Sequence, residues 1–381
     1  MGIIGAGFMG AGIAEVTMDA GIEVKMYDVK EDMLSTAKKT IWGNIQKKID
    51  KRILRKIDAE KMFMSIQSAN KLSQIAHTDI IIEAVVEKME VKKSIIQEVE
   101  QLGNASLIFA SNTSSLSITE MAEGSKHRDK IIGMHYFSPV PKMPLLEIVK
   151  TPYTSDSTLA NAYDLGVRQG KTCIVVKDGP GFYVNRILSP YLNECLLMME
   201  EGVSVEQIDR ALTSKGFPVG PLKLMDEVGI DIVVHATNAN RDYASKRKGY
   251  MPNQGLDKMF AAGYLGKKNK KGFYLYDAAT GKSTGTNTAI LPFFQTEKKR
   301  ENTIEAICDR AIYLMLKEAK SCLDEGIISS EQDGNLGAIF GIGFMPYTGG
   351  PFSMIQSMGH DSFTAKLTSL AANYGARFDP S

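Results

Sequence analysis

The 381-residue chain has little from which to build a disulfide framework or a metal centre. Its four cysteines (Cys173, Cys195, Cys308, Cys322) stand apart with no Cys-x-x-Cys, and it has five histidines. Scattered thiols suit a reducing compartment. Charge of one sign is lacking too: 45 Lys+Arg against 44 Asp+Glu leaves a net +1, so any basic surface is local, and the balance argues for neither nucleic acid nor a membrane partner. No signal-peptide pattern is visible, and no uninterrupted apolar run approaches a membrane span. What is there is ordinary for a globular protein, 44% hydrophobic and 23% charged, at a length that predicts two or three domains.

The first pattern to stand out is Gly5-Ala6-Gly7-Phe8-Met9-Gly10, which follows a short apolar stretch and leads into a predicted helix at 11–20. In a dinucleotide fold Gly5 makes the tight turn, Gly7 lets backbone approach a pyrophosphate, and Gly10 lets helix and strand pack closely. The helix N-terminus then offers unpaired N–H groups to phosphate. A second predicted strand, 23–27, ends in Asp28, where a carboxylate would accept from the adenosine ribose hydroxyls and repel a 2′-phosphate. That favours NAD over NADP; the competing reading of Asp28 is a plain turn residue. Only four residues precede Gly5, against the roughly five to six of a typical strand, so the cofactor site is expected to stand on a short foundation. The chain reads as cut from something longer or started at an internal methionine.

From residue 1 to about 178, short β-branched runs alternate with amphipathic helices, the pattern of an α/β Rossmann-type doubly wound sheet. Between the second strand and the next, residues 29–62 form a basic insertion predicted as two long helices standing off the sheet. Its Lys47, Lys48, Lys51 and Arg52 are open to two readings, a solvated helix face or a site for a ligand carrying several phosphates. Further strands are predicted at 64–67, 79–85, 107–111, 130–137, 145–149 and 173–176. Beyond Gly181 helical periodicity dominates and the sequence repeats: Glu201-Gly202, Asp209, Gly220-Pro221 and Gly229 are echoed by Glu325-Gly326, Asp333, Gly350-Pro351 and Gly359. The offset is 124 at first and 130 later, implying a six-residue insertion. The expected domains are therefore 1–178, then duplicated all-α copies at 179–280 and 288–381 separated by a polar linker, 278–287.

If a dinucleotide takes a hydride, some group must take a proton, and histidine has the suitable pKa. His77 precedes a strand at its amino end, His127 lies in a polar turn, His235 sits inside an apolar helix and His360 in a Gly-His-Asp turn. His135 lies at the carboxyl end of a predicted strand. Glu147, on the following apolar strand, would be costly to bury without a partner and would orient the imidazole. Two Tyr-x-x-x-Lys spacings, Tyr264…Lys268 and Tyr313…Lys317, lie in the helical half and read as chance.

Together, Gly5–Ala14, Ile82-Glu83-Ala84-Val85-Val86-Glu87, Ser111-Asn112-Thr113-Ser114-Ser115-Leu116, Gly133-Met134-His135-Tyr136-Phe137-Ser138-Pro139-Val140 and Asp178-Gly179-Pro180-Gly181-Phe182 resemble the 3-hydroxyacyl-CoA dehydrogenase family. The chain is most similar to the dehydrogenase half of the multifunctional α-subunit of fatty-acid β-oxidation, without its enoyl-CoA hydratase part. The resemblance implies NAD as cofactor, His135 as general base, Glu147 as its orienting partner, and Ser114 and Asn185 as contacts to the substrate oxygen. It places Met9, Asp28, Val85, Val86, Glu87, Lys92, Ser114 and Ser138 on NAD-side positions, and the basic insertion on the segment that holds coenzyme A. Ser138 stands where single-function members often have Asn, and Lys270 where Gly is usual. The resemblance also implies an acyl-CoA substrate, a homodimer or a complex with a thiolase subunit, and a mitochondrial matrix location in a eukaryote or a cytoplasmic one in a bacterium. Two other readings stay open: an idle NAD/CoA-binding fragment or scaffold, and an oxidoreductase of small 3-hydroxyacids.

Overall fold

The computed structural model describes all residues except 104, 295–299, 301–302 and 381. Contacts divide the chain into two compact units, Met1–Phe182 and Tyr183–Ser381.

The first unit alternates strand and helix. It runs β1 (Gly2–Ile4), α1 (Phe8–Asp19), β2 (Val24–Tyr27), α2 (Glu31–Asp50), α3 (Lys56–Met64), β3 (Ile66–Ala69) and β4 (Ile80–Glu83). It continues with α4 (Met89–Leu102), β5 (Ile108–Ser111), α5 (Ile118–Glu123), β6 (Ile131–Tyr136), β7 (Leu145–Lys150), α6 (Asp156–Arg168) and β8 (Thr172–Lys177). The sheet order is β3-β2-β1-β4-β5-β6-β7-β8, parallel except for β7 against β6. The strand order reverses between β1 and β4, and ligands of open α/β sheets bind beyond the carboxyl ends at such a crevice. The expected weak foundation is answered by neighbours. β1 has only three residues, but it is buried and paired on both sides, to β2 and β4, and Met1 O accepts from Lys25 N.

The basic insertion forms two helices, but it does not stand off the sheet. Leu34, Ala37, Ile41 and Ile45 of α2 and Ala59 of α3 are buried in the same core as Ile13 and Val16 of α1 and the sheet strands. The reason is the three- and four-residue apolar spacing of α2, Leu34, Ala37, Ile41 and Ile45, which gives it a stripe that packs on α1.

The second unit contains α7 (Val184–Glu200), α8 (Val205–Ser214), α9 (Pro221–Val228), α10 (Ile230–Ala239), α11 (Arg241–Ser245) and α12 (Gly255–Ala261). A small antiparallel hairpin follows, β9 (Tyr274–Tyr276) with β10 (Ser283–Thr286), then α13 (Ile304–Asp324), α14 (Glu331–Ile342), α15 (Pro351–Met358) and α16 (His360–Tyr374). The stretch 278–287 is thus part of a hairpin rather than a plain linker. Its Asn287 is buried and donates to Gly272 O. His360 begins α16 instead of lying in a turn.

The repeat is visible as α7–α10 against α13–α16, with a shift in its pairing. Ser204 and Ser330 both N-cap their helices, an offset of 126. Asp209 accepts from Leu222 and Lys223 N–H at the start of α9, and Asn335 does the same for Phe352 and Ser353 at the start of α15. The partner of Asp209 is therefore Asn335, not Asp333, and the six extra residues are split between two loops. The copies lock reciprocally. Arg186 of α7 pairs with Glu318 and Glu325, while Arg310 of α13 pairs with Glu194 and Glu201.

Candidate active site

The three glycines meet three different constraints. Gly5 has φ +97, and a Cβ there would lie 2.5 Å from Ala84 O. A Cβ on Gly10 would lie 1.9 Å from Gly5 O, so helix and turn touch backbone to backbone. Nothing would meet a Cβ on Gly7, which caps the 12-residue α1 without a side-chain bond and leaves room for a phosphate at the helix N-terminus. The Asp28 carboxylate turns toward this loop, accepting from Ala6 N (2.7 Å) and Lys30 N (2.9 Å). An ionised carboxylate has about four lone-pair sites, so it keeps capacity for ribose hydroxyls. These residues fit a dinucleotide. Met9 follows on α1, and exposed Val86 stands just past β4.

Beyond β4 and β5 the polar groups are tied together. Glu87 accepts from Thr113 Oγ1 (2.5 Å), Ser114 N (3.1 Å) and Ser115 Oγ (3.2 Å), joining the two strand ends. Val85 N donates to Glu83, as do Ser111 Oγ and Lys92 Nζ. Lys92 is fully buried, 2.7 Å from Glu83 and 3.4 Å from Glu87, so its ammonium braces the 84–88 loop. Asn112 belongs to the polar cluster 112–115 at the end of β5, whereas Glu83 is a site-building residue that the motifs alone did not single out. The signal for Glu83 was in the sequence, a charge closing an apolar strand, the same feature that singled out Glu147. Asn112 accepts from Tyr136 N (2.9 Å), linking the end of β5 to the strand bearing His135.

His135 and Glu147 are register partners in the β6–β7 pair. Nδ1 and Oε2 are 2.7 Å apart, with the imidazole 7% exposed and the carboxylate 0% exposed. The rings of Phe137 and Phe182 lie 4.5 and 5.6 Å from the imidazole and shield it from water. With Nδ1–H donating to Glu147, Nε2 is the ring nitrogen that keeps its lone pair, the arrangement a general base requires. Since β6 is parallel to β5, the pair sits on the same sheet edge as the 112–115 cluster. Ser138, exposed, follows in the loop between β6 and β7. Asn185 lies in the second unit, at the start of α7.

Of the basic residues, Lys48 is paired, to Asp19 at 2.7 Å and Glu15 at 3.7 Å, about three and two turns along α1 from the glycine turn. Lys47 reaches Asn44 Oδ1 at 3.4 Å, and Lys47, Lys51 and Arg52 are exposed.

The chain is similar to known proteins over its whole length. Residues 1–179 match the 3-hydroxyacyl-CoA dehydrogenase NAD binding domain, and residues 181–276 match the C-terminal domain of that enzyme. The chain is 41% identical over 381 residues to the fatty acid oxidation complex subunit alpha of Idiomarina loihiensis, all of it matching 53% of that protein. It thus spans about half the length of that curated relative. The 3-hydroxybutyryl-CoA dehydrogenase of Escherichia coli superposes with a TM-score of 0.86 at 25% identity, covering 100% of this chain and 96% of that one. The (S)-3-hydroxybutyryl-CoA dehydrogenase of Ralstonia eutropha gives 0.69 at 36% identity, covering 72% of this chain and 98% of its own.

Proposed function

The chain belongs to the 3-hydroxyacyl-CoA dehydrogenase family, which is NAD-dependent, and from that premise we propose that it oxidises 3-hydroxyacyl-CoA to 3-ketoacyl-CoA as a step of fatty-acid β-oxidation. The buried His135–Glu147 pair carries the reading. His135 Nε2 takes the 3-hydroxyl proton while Glu147 holds the tautomer and stabilises the imidazolium as it forms. NAD would be held at the glycine turn and Asp28, and when bound it would supply the acceptor for the C3 hydride. By their motifs Ser114 and Asn185 donate to the substrate oxygen as its charge changes, and Met9, Val85, Val86, Glu87 and Ser138 border the nucleotide. The test is NADH formation from 3-hydroxybutyryl-CoA by the purified chain: His135→Gln abolishes turnover and leaves NADH affinity nearly intact. A variant that keeps most of its activity removes His135 from the mechanism.

A CoA ester carries its phosphates at the far end of a long arm from the reacting carbon. Exposed Lys47, Lys51 and Arg52, with Lys48 beside them, suit that end. Replacing Lys47, Lys51 and Arg52 with Gln raises KM for the acyl-CoA and leaves KM for NAD unchanged. An unchanged acyl-CoA KM returns these residues to a solvated face. No helix among the described residues is long and apolar enough to cross a membrane. The assembly we favour is a homodimer or a complex with a thiolase subunit, located where β-oxidation runs, in bacterial cytoplasm or the mitochondrial matrix.

A further inference from the structure

The His135–Glu147 bond fixes the imidazole within the sheet, but catalysis also needs that imidazole at a set distance from the cofactor held by α1. Two connections cross this gap, and both start from the turn between α6 and β8. In the first, Gln169 Nε2 donates to Thr17 Oγ1 of α1 (2.7 Å), and Gln169 Oε1 accepts from Tyr136 Oη (2.7 Å), the neighbour of His135. Thr17 in turn donates to Ile13 O (2.7 Å). Thr17, Tyr136 and Gln169 are 0%, 2% and 7% exposed, so each polar group depends on the others. In the second, Lys171 Nζ donates to Val140 O (2.5 Å) and Met143 O (2.8 Å) in the loop between β6 and β7. The same loop presses on α1 where a side chain is missing, since a Cβ on Gly12 would lie 2.9 Å from Val140 Cβ. Burial pushes the Lys171 ammonium below its ordinary pKa, a cost that two carbonyl acceptors offset in part.

We propose that Gln169 and Lys171 are positioning residues, a brace that sets the distance between the catalytic strand β6 and the dinucleotide helix α1. A plainly structural role is the competing account, since any buried Gln or Lys needs partners. The two accounts differ over what happens when stability is restored without the connection. Gln169→Leu takes one bond from each of two buried hydroxyls, leaving Tyr136 Oη without its acceptor and Thr17 Oγ1 with Ile13 O alone, and lowers Tm. Adding Tyr136→Phe removes one of those hydroxyls and recovers much of that loss, because deleting both partners of a buried hydrogen bond is nearly neutral. The connection itself stays broken.

The experiment measures kcat for 3-hydroxybutyryl-CoA per NADH-binding site, titrated by NADH fluorescence, in wild type, Lys171→Met and Tyr136→Phe/Gln169→Leu. It includes the isotope effect with substrate deuterated at C3. A brace predicts that kcat per site falls by about tenfold or more, because misplacement of around an ångström costs that much. NADH affinity stays within about twofold, and the isotope effect does not fall, as hydride transfer becomes slower relative to other steps. If kcat per site in the double variant stays within about threefold of wild type, the brace is overturned and Gln169 only satisfies its neighbours. If Gln169→Leu variants do not fold, Thr17→Val breaks the same connection at the helix end and is read in the same way. The inference rests on His135 being the base. A wild-type chain that forms no NADH sinks that reading, whereas an active wild type with undiminished variants sinks only the brace.

Discussion

Replacing Glu147 with Gln isolates what its charge contributes. The substitution keeps shape and volume, and the amide oxygen still accepts from Nδ1–H, so the ring orientation survives. What disappears is the negative charge 2.7 Å from the ring, in a position that is 0% exposed. In the proposed reaction His135 becomes an imidazolium on taking the substrate proton, so the lost interaction is one made mainly in the transition state. A hydrogen bond to a charged group contributes about 1.5–3 kcal/mol against about 1 for a neutral one, a difference of about 0.5–2 kcal/mol, centred near 1. Coulomb attraction over about 4 Å at an effective dielectric of about 20 gives about 4 kcal/mol as the upper end. The expected fall in kcat therefore lies between about fivefold, for about 1 kcal/mol, and a thousandfold. The assay is steady-state NADH formation at saturating substrate, with NADH affinity and Tm measured in parallel and expected to change little. A Gln variant that keeps more than about a third of the wild-type kcat refutes the argument, since the charge would then be doing nothing the dipole does not.

Two further predictions concern the second unit. Lys270 adopts φ +69, a left-handed conformation that costs a residue with a Cβ about 1–2 kcal/mol, so Lys270→Gly raises stability by about 1 kcal/mol and Tm by about 2–4 °C; an unchanged or lower Tm counts against it. Asp226 is 0% exposed, and burial raises its pKa from 3.8 to about 6 despite hydrogen bonds from Phe273 N, Tyr274 N and Tyr276 Oη. The folded state then holds this proton more tightly than the unfolded one, so its contribution is fully present below about pH 3.8 and is lost as pH rises through about 6. The gap corresponds to about 3 kcal/mol, so urea unfolding at pH 4 and pH 7 shows Asp226→Asn gaining about that much relative to wild type; a constant difference between the two pH values contradicts the assignment.

The parts of this protein that were legible in the sequence are those specified by local chemistry. The Gly5–Gly10 turn needs particular φ angles and close approaches, so its residues are confined to glycine wherever they stand. A carboxylate inside an apolar strand must find a partner, which exposed Glu147 and through it His135. The same reasoning reaches Glu83, whose partner Lys92 lies nine residues on, in the next helix. What sequence pattern left hidden depends on packing across distance. Nothing in α2 says that its apolar stripe lies on α1 instead of facing a ligand, and nothing in Gln169 names Thr17, 152 residues away, as its partner.

The repeat shows where that boundary lies. Matching residue types placed Asp209 opposite Asp333, because both are aspartates at the initial offset. Function within the fold places it opposite Asn335, because the task is to accept N–H groups at a helix start, and a side-chain amide oxygen does that as well as a carboxylate. The arginines were matched by neither argument, although Arg186 and Arg310 are 124 residues apart, as are Glu194 and Glu318, and Glu201 and Glu325. Each arginine pairs with the glutamates of the other copy. A buried charge stripped of its partner costs several kcal/mol, so neither copy can fold apart without exposing or orphaning its own ions. The duplication thus reads as one unit, whose two halves exchange ion pairs in a symmetric pattern.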